Sequence, residues 1–182
     1  MYEALTRSPS ANYTAVANDT HKEAAMPNLH LMIGLPCSGK TTLARRIAAE
    51  TGAFLFSTDA WHLRLYGDDL GQDGHMVNHR KIEALLWEVA AHALSAGCDV
   101  ILDFGFWTRE QRDLYRRRAE ALGAVCVPHY LNVPMEELRR RIRERNADPP
   151  EDAFVIPLEM MDLYISHFEH PDSGELGRPS IP

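Results

Sequence analysis

Residues 34–41 combine two glycines, a lysine and a threonine at a spacing that can hold a phosphate group. They read GLPCSGKT and match the pattern G-x-x-x-x-G-K-[ST] without a mismatch. Gly34 and Gly39 allow the backbone to turn successive N–H groups inward around phosphate oxygens, and a helix starting here adds the partial positive charge of its N-terminus. Lys40 is expected to reach the β- and γ-phosphates of a nucleotide, and the Thr41 hydroxyl to ligate Mg²⁺. The residues predicted to bind the nucleotide are Gly34, Pro36, Cys37, Ser38, Gly39, Lys40, Thr41 and Thr42.

Two aspartates follow apolar strand candidates. Asp103 ends the run VILD, and an acid at the end of a buried parallel strand beside a phosphate loop is placed to complete a magnesium site with Thr41. A turn cap is the alternative for Asp103. Asp59 follows the strand candidate 53–57, where a carboxylate can accept the proton of an attacking hydroxyl. Asp59 can also cap a short helix, and the two roles are compatible.

Five arginines fall within residues 139–145. At helical spacing, Arg141 and Arg145 lie at the edge of the predicted buried face, from which they can reach into a cleft and stabilise a transferring phosphoryl group. A solvated charged surface is the alternative. The Pro-rich segment that follows is consistent with a movable lid, which we place at about 134–156.

Strands and helices alternate around these residues. This alternation predicts an α/β fold, a parallel sheet with helices on both faces. The predicted strands are 29–33, 53–57, 99–104 and 124–133, and the predicted helices are about 40–51, 76–96, 108–123, 134–146 and 157–169. The helix over 76–96 is expected to bury Ile82, Leu85, Leu86, Val89 and Leu94.

The 182 residues fit one domain at 28–170, preceded by a flexible leader over 1–27 and followed by an irregular tail over 171–182. No apolar run is long enough for a membrane span and no secretory signal is evident, so we expect a cytoplasmic protein without a membrane partner. Three cysteines are read as reduced thiols. The net charge of −7 argues against a nucleic-acid partner.

The chain resembles the P-loop small-molecule kinases, the group around chloramphenicol phosphotransferase, gluconate kinase, zeta-type toxins and the 5′-kinase domain of polynucleotide kinase. The resemblance covers about residues 28–170 and rests on GLPCSGKTTLARRI, STDAW, VILDFGFWTREQRD, HYLNVPMEELRRRIRERN and FVIPLEMMDLYISHFEHP. It implies a three-layer P-loop NTPase fold with strand order 2-3-1-4, with or without a fifth strand, and a helical lid. It also implies ATP and Mg²⁺ as cofactors.

The resemblance also assigns roles to individual residues. It matches Asp59 to the family's acid after the second strand, the proposed base, and Arg141 and Arg145 to its lid arginines. Arg109 and Arg112 follow the third strand, where related enzymes hold substrate or position helices. Residues 62–81 match no acceptor signature. Two histidines in that segment, four residues apart, could ligate a metal if the segment is helical: these are His75 and His79. Without a carboxylate or a third ligand they are only a weak signal of a metal site.

Together these features predict an ATP-dependent phosphotransferase that acts on a hydroxyl of a small molecule. Its catalytic residues would be Lys40, Asp59, Arg141 and Arg145. The alternatives are a polynucleotide 5′-hydroxyl kinase and an ATP-binding regulatory or toxin module without small-molecule kinase activity. The sequence predicts neither the identity of the acceptor nor the oligomeric state.

Overall fold

The computed structural model describes residues 25–176, and within them four strands form one parallel sheet. The strand order is β2-β3-β1-β4, so the α/β fold and the order 2-3-1-4 are confirmed. The described residues contain no fifth strand. The strands are β1 (Asn28–Ile33), β2 (Phe54–Ser57), β3 (Val100–Gly105) and β4 (Val125–Tyr130). Of the predicted leader, residues 1–24 lie outside the described part of the chain.

Seven helices connect and cover the strands in this part of the chain. No helix among the described residues is long and apolar enough to cross a membrane. The helices are α1 (Lys40–Thr51), α2 (Thr58–Tyr66), α3 (His75–Ser95), α4 (Arg109–Ala121), α5 (Met135–Ala147), α6 (Met160–His167) and α7 (Ser173–Leu176).

Both faces of the sheet are buried. Successive side chains of a strand point to opposite faces, and the central strand β1 shows this directly. Leu29 and Leu31 pack in one apolar cluster with residues of α3 and α4, whereas Met32 packs in a second cluster with residues of α1. The layered arrangement therefore confirms the expectation of helices on both faces, as a parallel sheet requires. Pro128 lies in β4, which is an edge strand and tolerates the missing N–H.

Helix α3 buries a narrower stripe than its sequence predicts. Ile82, Leu86 and Leu94 are buried as expected, but Leu85 and Val89 are about half exposed, at 50% and 46%. The buried positions recur every four residues, with Ala90 filling the remaining place. The prediction was wrong for Leu85 and Val89 because a helix on an open sheet presents one narrow face to it, and apolar residues beside that face stay in solvent.

The C-terminal segment is more ordered than predicted up to residue 176. The tail over 171–182 was expected to be irregular, but its described part forms the short helix α7. Glu175 of α7 is buried and bonded to Arg112 of α4 through two hydrogen bonds of 2.7 and 3.1 Å. A long-range ion pair thus organises this segment, and no local sequence pattern reports such a pair. Residues 177–182 lie outside the described range.

The segment that follows α5 folds back along that helix. The Asn146 side chain donates to the Ile156 carbonyl at 2.7 Å and accepts from the Ile156 N–H at 3.3 Å. An ion pair between Arg45 of α1 and Asp152 joins the same segment to the helix behind the phosphate loop. The part of the predicted lid region that follows α5, residues 148–156, therefore lies against α1 and α5 in this structure.

Candidate active site

The loop between β1 and α1 has the geometry that its glycines predict. Gly39 precedes α1 with a φ of 99° and Gly34 follows β1 with a φ of 149°, conformations that side chains disfavour. A Cβ atom on Gly34 would lie 2.8 Å from Ser38 Oγ and 3.0 Å from the Leu131 carbonyl oxygen. The loop is therefore closed tightly under the N-terminus of α1, which is a ready site for an anion.

Lys40 and Thr41, the first residues of α1, both point to the carboxyl end of the sheet. The Lys40 ammonium donates to the Leu35 carbonyl at 2.8 Å, so the lysine bridges the loop in this structure. The Thr41 hydroxyl donates to a carboxylate oxygen of Asp103 at 2.6 Å. These hard oxygen donors suit Mg²⁺, so the residues present fit the metal that the sequence implies.

Burial and neighbouring charges have opposite effects on the pKa values of Lys40 and Asp103. Burial lowers the pKa of Lys40, while the carboxylates of Asp103 and Asp59 act to raise it. Burial likewise raises the pKa of Asp103, against the Lys40 charge and the Thr41 hydrogen bond. Burial has the larger effect in both cases, so the pKa of Lys40 is lowered and the pKa of Asp103 is raised. A metal ion at Asp103 would favour the charged carboxylate.

Asp59 lies in the first turn of α2, immediately after β2. The helix cap is Ser57, whose hydroxyl accepts the Ala60 N–H at 3.5 Å, so Asp59 does not itself take the capping role considered for it. Ser57 is paired with Asp103 in the sheet. The charge of Asp59 acts on the pKa of both Lys40 and Asp103. The structure thus brings the proposed base and the phosphate loop to the same carboxyl end of the parallel sheet.

Arg141 and Arg145 face the phosphate loop from α5. Arg141 donates to Glu137 at 2.7 Å and approaches the Cys37 carbonyl at 3.5 Å. Arg145 donates to the Phe154 carbonyl at 3.0 Å, and its Nε is buried without a protein partner. Burial raises the pKa of the Cys37 thiol, and both arginines act against that rise, which places their charges beside the loop.

Four further arginines of α4 and α5 form ion pairs away from the phosphate loop, whereas Arg141 combines its pair with Glu137 and a contact to the loop at Cys37. Arg139 contacts Asp162 and Arg140 contacts Glu137, each at 2.7 Å. Arg109 donates to Asp172 at 3.0 Å. Arg112 is buried in its pair with Glu175, so in this structure it positions α4 and α7 rather than facing the phosphate loop. The structure therefore separates Arg141 and Arg145 from the rest of the arginine-rich sequence.

Sequence reasoning missed Tyr164, a half-buried residue of α6. The charge of Asp59 raises the pKa of Tyr164, after the larger effect of burial, so the phenol lies on the Asp59 side of the site. Its ring packs against Trp107 with centroids 5.0 Å apart. The sequence around Tyr164 reads as an ordinary amphipathic helix, and no motif marks it.

A concave surface lies on the β4 side of the phosphate loop. It encloses about 200 Å³ and is mostly lined by apolar and aromatic side chains. None of Lys40, Thr41 and Asp59 contributes to it. Its lining includes Leu35, Tyr130, Leu131, Val133, Met135 and Phe168.

Comparison with solved structures finds the same fold in several proteins. The chain is 24% identical to a protein of the Pnkp1/Rnl/Hen1 RNA repair complex, with a TM-score of 0.63 over 82% of this chain but only 45% of that one. It is 21% identical to a sugar kinase from Janibacter sp. HTCC2649, with a TM-score of 0.59 over 82% and 81% of the two chains. It is 19% identical to Chaetomium thermophilum Kti12 in complex with ADP-AlF3, with a TM-score of 0.61 over 80% and 82%. At these identities the likeness shows the fold.

Comparison with protein families gives a match over most of the chain. A family model described as an AAA domain matches residues 29–171, which include the phosphate loop, Asp59, Asp103, Arg141 and Arg145. A comparison with curated proteins found no match. Since the family model covers well over half of the sequence and the solved neighbours share its P-loop kinase-like architecture, the chain belongs to the AAA domain family.

Proposed function

We propose that this protein is an ATP-dependent phosphotransferase that moves the γ-phosphate of MgATP to a hydroxyl group of a small molecule. The observation that carries the proposal is the position of Asp59. Asp59 follows β2 at the carboxyl end of the sheet, where the phosphate loop also lies, and its charge acts on the pKa values of Lys40 and Asp103. Transfer to an alcohol calls for such a proton acceptor beside the phosphate site.

The donor half of the reaction would use the phosphate loop. The backbone N–H groups of the loop and the N-terminus of α1 would hold the β- and γ-phosphates. Lys40 would exchange the Leu35 carbonyl for phosphate oxygens, since a charged acceptor binds an ammonium more strongly than a neutral one. Thr41 and Asp103 would hold Mg²⁺, which when bound neutralises part of the phosphate charge.

The lid arginines would act on the group being transferred. Arg145 is the better placed, because its buried Nε has no protein partner and can donate to a phosphate oxygen. Arg141 already touches the loop at Cys37. Their charges would stabilise the negative charge that spreads over the phosphoryl oxygens in the transition state.

The nucleobase would lie on the opposite side of the loop from Asp59. Asp59 follows β2 at one edge of the sheet, and the cavity that includes Leu131 and Tyr130 lies by β4 at the other edge. An apolar, aromatic lining suits a planar base. Tyr130→Ala should therefore raise the KM for ATP more than it lowers kcat.

The acceptor side favours a small molecule over a nucleic acid. The loop between α2 and α3, residues 67–74, carries three aspartates and neither lysine nor arginine. A polynucleotide would bring its phosphates against these charges, whereas proteins that bind such backbones neutralise them with cations. A polynucleotide 5′-hydroxyl kinase stays the alternative, supported by the likeness in fold to the RNA repair protein.

The test is transfer of labelled γ-phosphate from MgATP to pooled sugars, nucleosides and antibiotics, with a 5′-hydroxyl oligonucleotide in a parallel reaction. Asp59→Asn should lower transfer about 10²- to 10⁴-fold, the usual contribution of a general base, while ATP still binds. Asp73→Asn changes an exposed aspartate of the following loop in the same way and should leave transfer unchanged.

Three outcomes would count against the proposal. Label on the oligonucleotide alone would assign a polynucleotide kinase. Equal transfer by the wild type and Asp59→Asn would remove Asp59 as the base. Tight ATP binding with no transfer to any acceptor, and the same slow hydrolysis in both proteins, would favour a regulatory or toxin module.

A further inference from the structure

Three histidines from two helices meet beside the loop between α2 and α3, residues 67–74. His62 belongs to α2, and His75 and His79 lie one turn apart at the start of α3. One nitrogen from each ring lies within 4.8 Å of the other two. The ring centroids are 4.5 Å apart for His62 and His75, and 5.6 and 5.8 Å from each of these to His79. The sequence spacing related only His75 and His79 of α3, and the fold brings His62 of α2 beside them.

The cluster contains buried nitrogen atoms without hydrogen-bond partners. The His62 side chain is fully buried, its Nδ1 has no hydrogen-bond partner among the described residues, and its Nε2 has only the Asp69 carboxylate beside it. The Nδ1 of His79 is also buried and unbonded. A buried polar atom left unbonded costs about 1–3 kcal/mol, so such atoms in proteins normally have a partner. Two such atoms in one cluster, Nδ1 of His62 and Nδ1 of His79, point to a shared ligand.

Asp69 orients two of the three rings. One of its carboxylate oxygens lies 2.6 Å from Nδ1 of His75 and 2.7 Å from Nε2 of His62. The first contact is a hydrogen bond, whereas the second has the distance but not the direction of one. A carboxylate behind a histidine is the usual support of a metal-binding imidazole, because it fixes the ring and raises the basicity of the other nitrogen.

We propose that His62, His75 and His79 bind one divalent transition-metal ion of the Zn²⁺ class, with Asp69 supporting two of the ligands. Imidazole nitrogens favour Zn²⁺, Co²⁺, Ni²⁺ and Cu²⁺ over Mg²⁺, so this site differs in chemistry from the oxygen site at Thr41 and Asp103. Three protein ligands leave a fourth position of a tetrahedral ion open. The proposal does not depend on the phosphotransferase activity.

Binding requires the rings to turn. A metal lies near the plane of each imidazole that holds it, but the three rings are close to parallel, with interplanar angles of 28°, 34° and 29°. Zn–N bonds of about 2.0–2.1 Å place the nitrogens about 3.4 Å apart in a tetrahedral site. Rotation of the rings about χ2 would have to shorten the distances between the ligand atoms, which reach no more than 4.8 Å here.

Such an ion would join α2 to α3 across the loop 67–74. His62 lies one helical turn after Asp59, so the ion would also fix the helix that carries the proposed base. Phe154 of the lid segment packs edge-on against both His62 and His75, with centroids 5.3 Å apart in each case. The expected role is therefore structural: the ion positions the acceptor side beneath the lid segment.

The test is Zn²⁺ binding to the full chain, stripped with a chelator and dialysed, measured by calorimetry in excess Mg²⁺ so that oxygen sites are filled. Wild-type protein should bind one Zn²⁺ per chain, and Co²⁺ in its place should give the visible absorption of a tetrahedral ion. His79→Gln should lower the affinity at least about 100-fold, and Asp69→Asn about 10- to 100-fold. His92→Gln, an exposed histidine of the same helix, is the matched control and should leave binding unchanged.

Absence of Zn²⁺ binding by the wild type would overturn the proposal and leave the three rings as packed core residues. Equal binding by wild type and His79→Gln would place the metal elsewhere. The second pair of close histidines is the first alternative, because Nδ1 of His30 and Nε2 of His129 are 2.9 Å apart, and His129→Gln tests it. If His79→Gln does not fold, Asp69→Asn and the Co²⁺ spectrum still decide. None of these measurements involves phosphate transfer, so either proposal can fail without the other.

Discussion

Replacing Glu175 by glutamine tests whether one buried ion pair holds the C-terminal segment on the domain. Arg112 and Glu175 expose only 2% and 4% of their side chains and are joined by two hydrogen bonds. Arg112 also donates to the carbonyls of Phe106 and Trp107 at 3.2 Å each. Glutamine keeps the shape but removes the charge, leaving the guanidinium buried without its counter-ion.

The expected loss in free energy of unfolding is about 3 kcal/mol. Removing one partner of a buried pair typically costs about 3–5 kcal/mol. The lower end applies because α7 has only four residues and can detach, which lets water reach Arg112. For a domain of this size, such a loss should lower the midpoint of thermal unfolding by about 6–12 °C. Chemical denaturation followed by circular dichroism measures the loss in free energy of unfolding.

The loss should depend on pH in one direction. The Arg112 hydrogen bond is the main cause that holds the pKa of Glu175 below its ordinary value of 4.5. A lowered carboxyl pKa stabilises the folded state fully above that ordinary value, and this contribution disappears as the pH falls through the folded-state pKa. Glutamine does not titrate, so the difference between wild type and variant should be full at pH 7 and shrink in acid.

Two results would refute this reasoning. A loss below about 1 kcal/mol at neutral pH, or a difference that stays constant on acidification, would show that the charge of Glu175 does not hold the segment. Glu120→Gln, an exposed substitution on α4, is the control and should stay within about 0.5 kcal/mol of wild type. Arg112→Met combined with Glu175→Leu should lose less than either single change, because no buried charge is left unpaired.

Four further substitutions test the site and the core. Asp103→Asn removes the carboxylate that accepts the Thr41 hydrogen bond. We expect phosphate transfer to fall roughly 10- to 100-fold and to require a higher Mg²⁺ concentration, which steady-state kinetics at varied Mg²⁺ concentration measures. Gly34→Ala forces a Cβ to within 2.8 Å of Ser38 Oγ at a positive φ, so calorimetry should show loss of ATP binding and denaturation a loss of about 1–3 kcal/mol. Leu86→Ala should lower the free energy of unfolding by about 2–5 kcal/mol in chemical denaturation, because the Leu86 side chain is buried. Leu85→Ala, at a position that is 50% exposed, should lower it by less than about 1 kcal/mol. Equal losses would contradict the assigned buried face of α3.

Much of the fold followed from local patterns in the sequence. The strand before the phosphate loop, the helix after it and the capping box of Thr108 and Gln111 are all set by residues close together in the chain, and the structure shows each of them. Pro134 likewise precedes an arginine-rich helix as predicted. Such features depend on backbone preferences and near-neighbour hydrogen bonds, which a single sequence carries.

Tertiary structure decided which polar residues meet. The sequence by itself determined that a phosphate loop, a following acid and an arginine-rich helix exist, because each is a contiguous pattern. It could not determine that Arg112 pairs with Glu175, 63 residues away, or that His62 joins His75 and His79. Nor could it separate Arg145, whose charge acts on Cys37 of the phosphate loop, from Arg140, which pairs along its own helix. These outcomes depend on how helices pack across the sheet, and packing brings together residues that no local spacing relates.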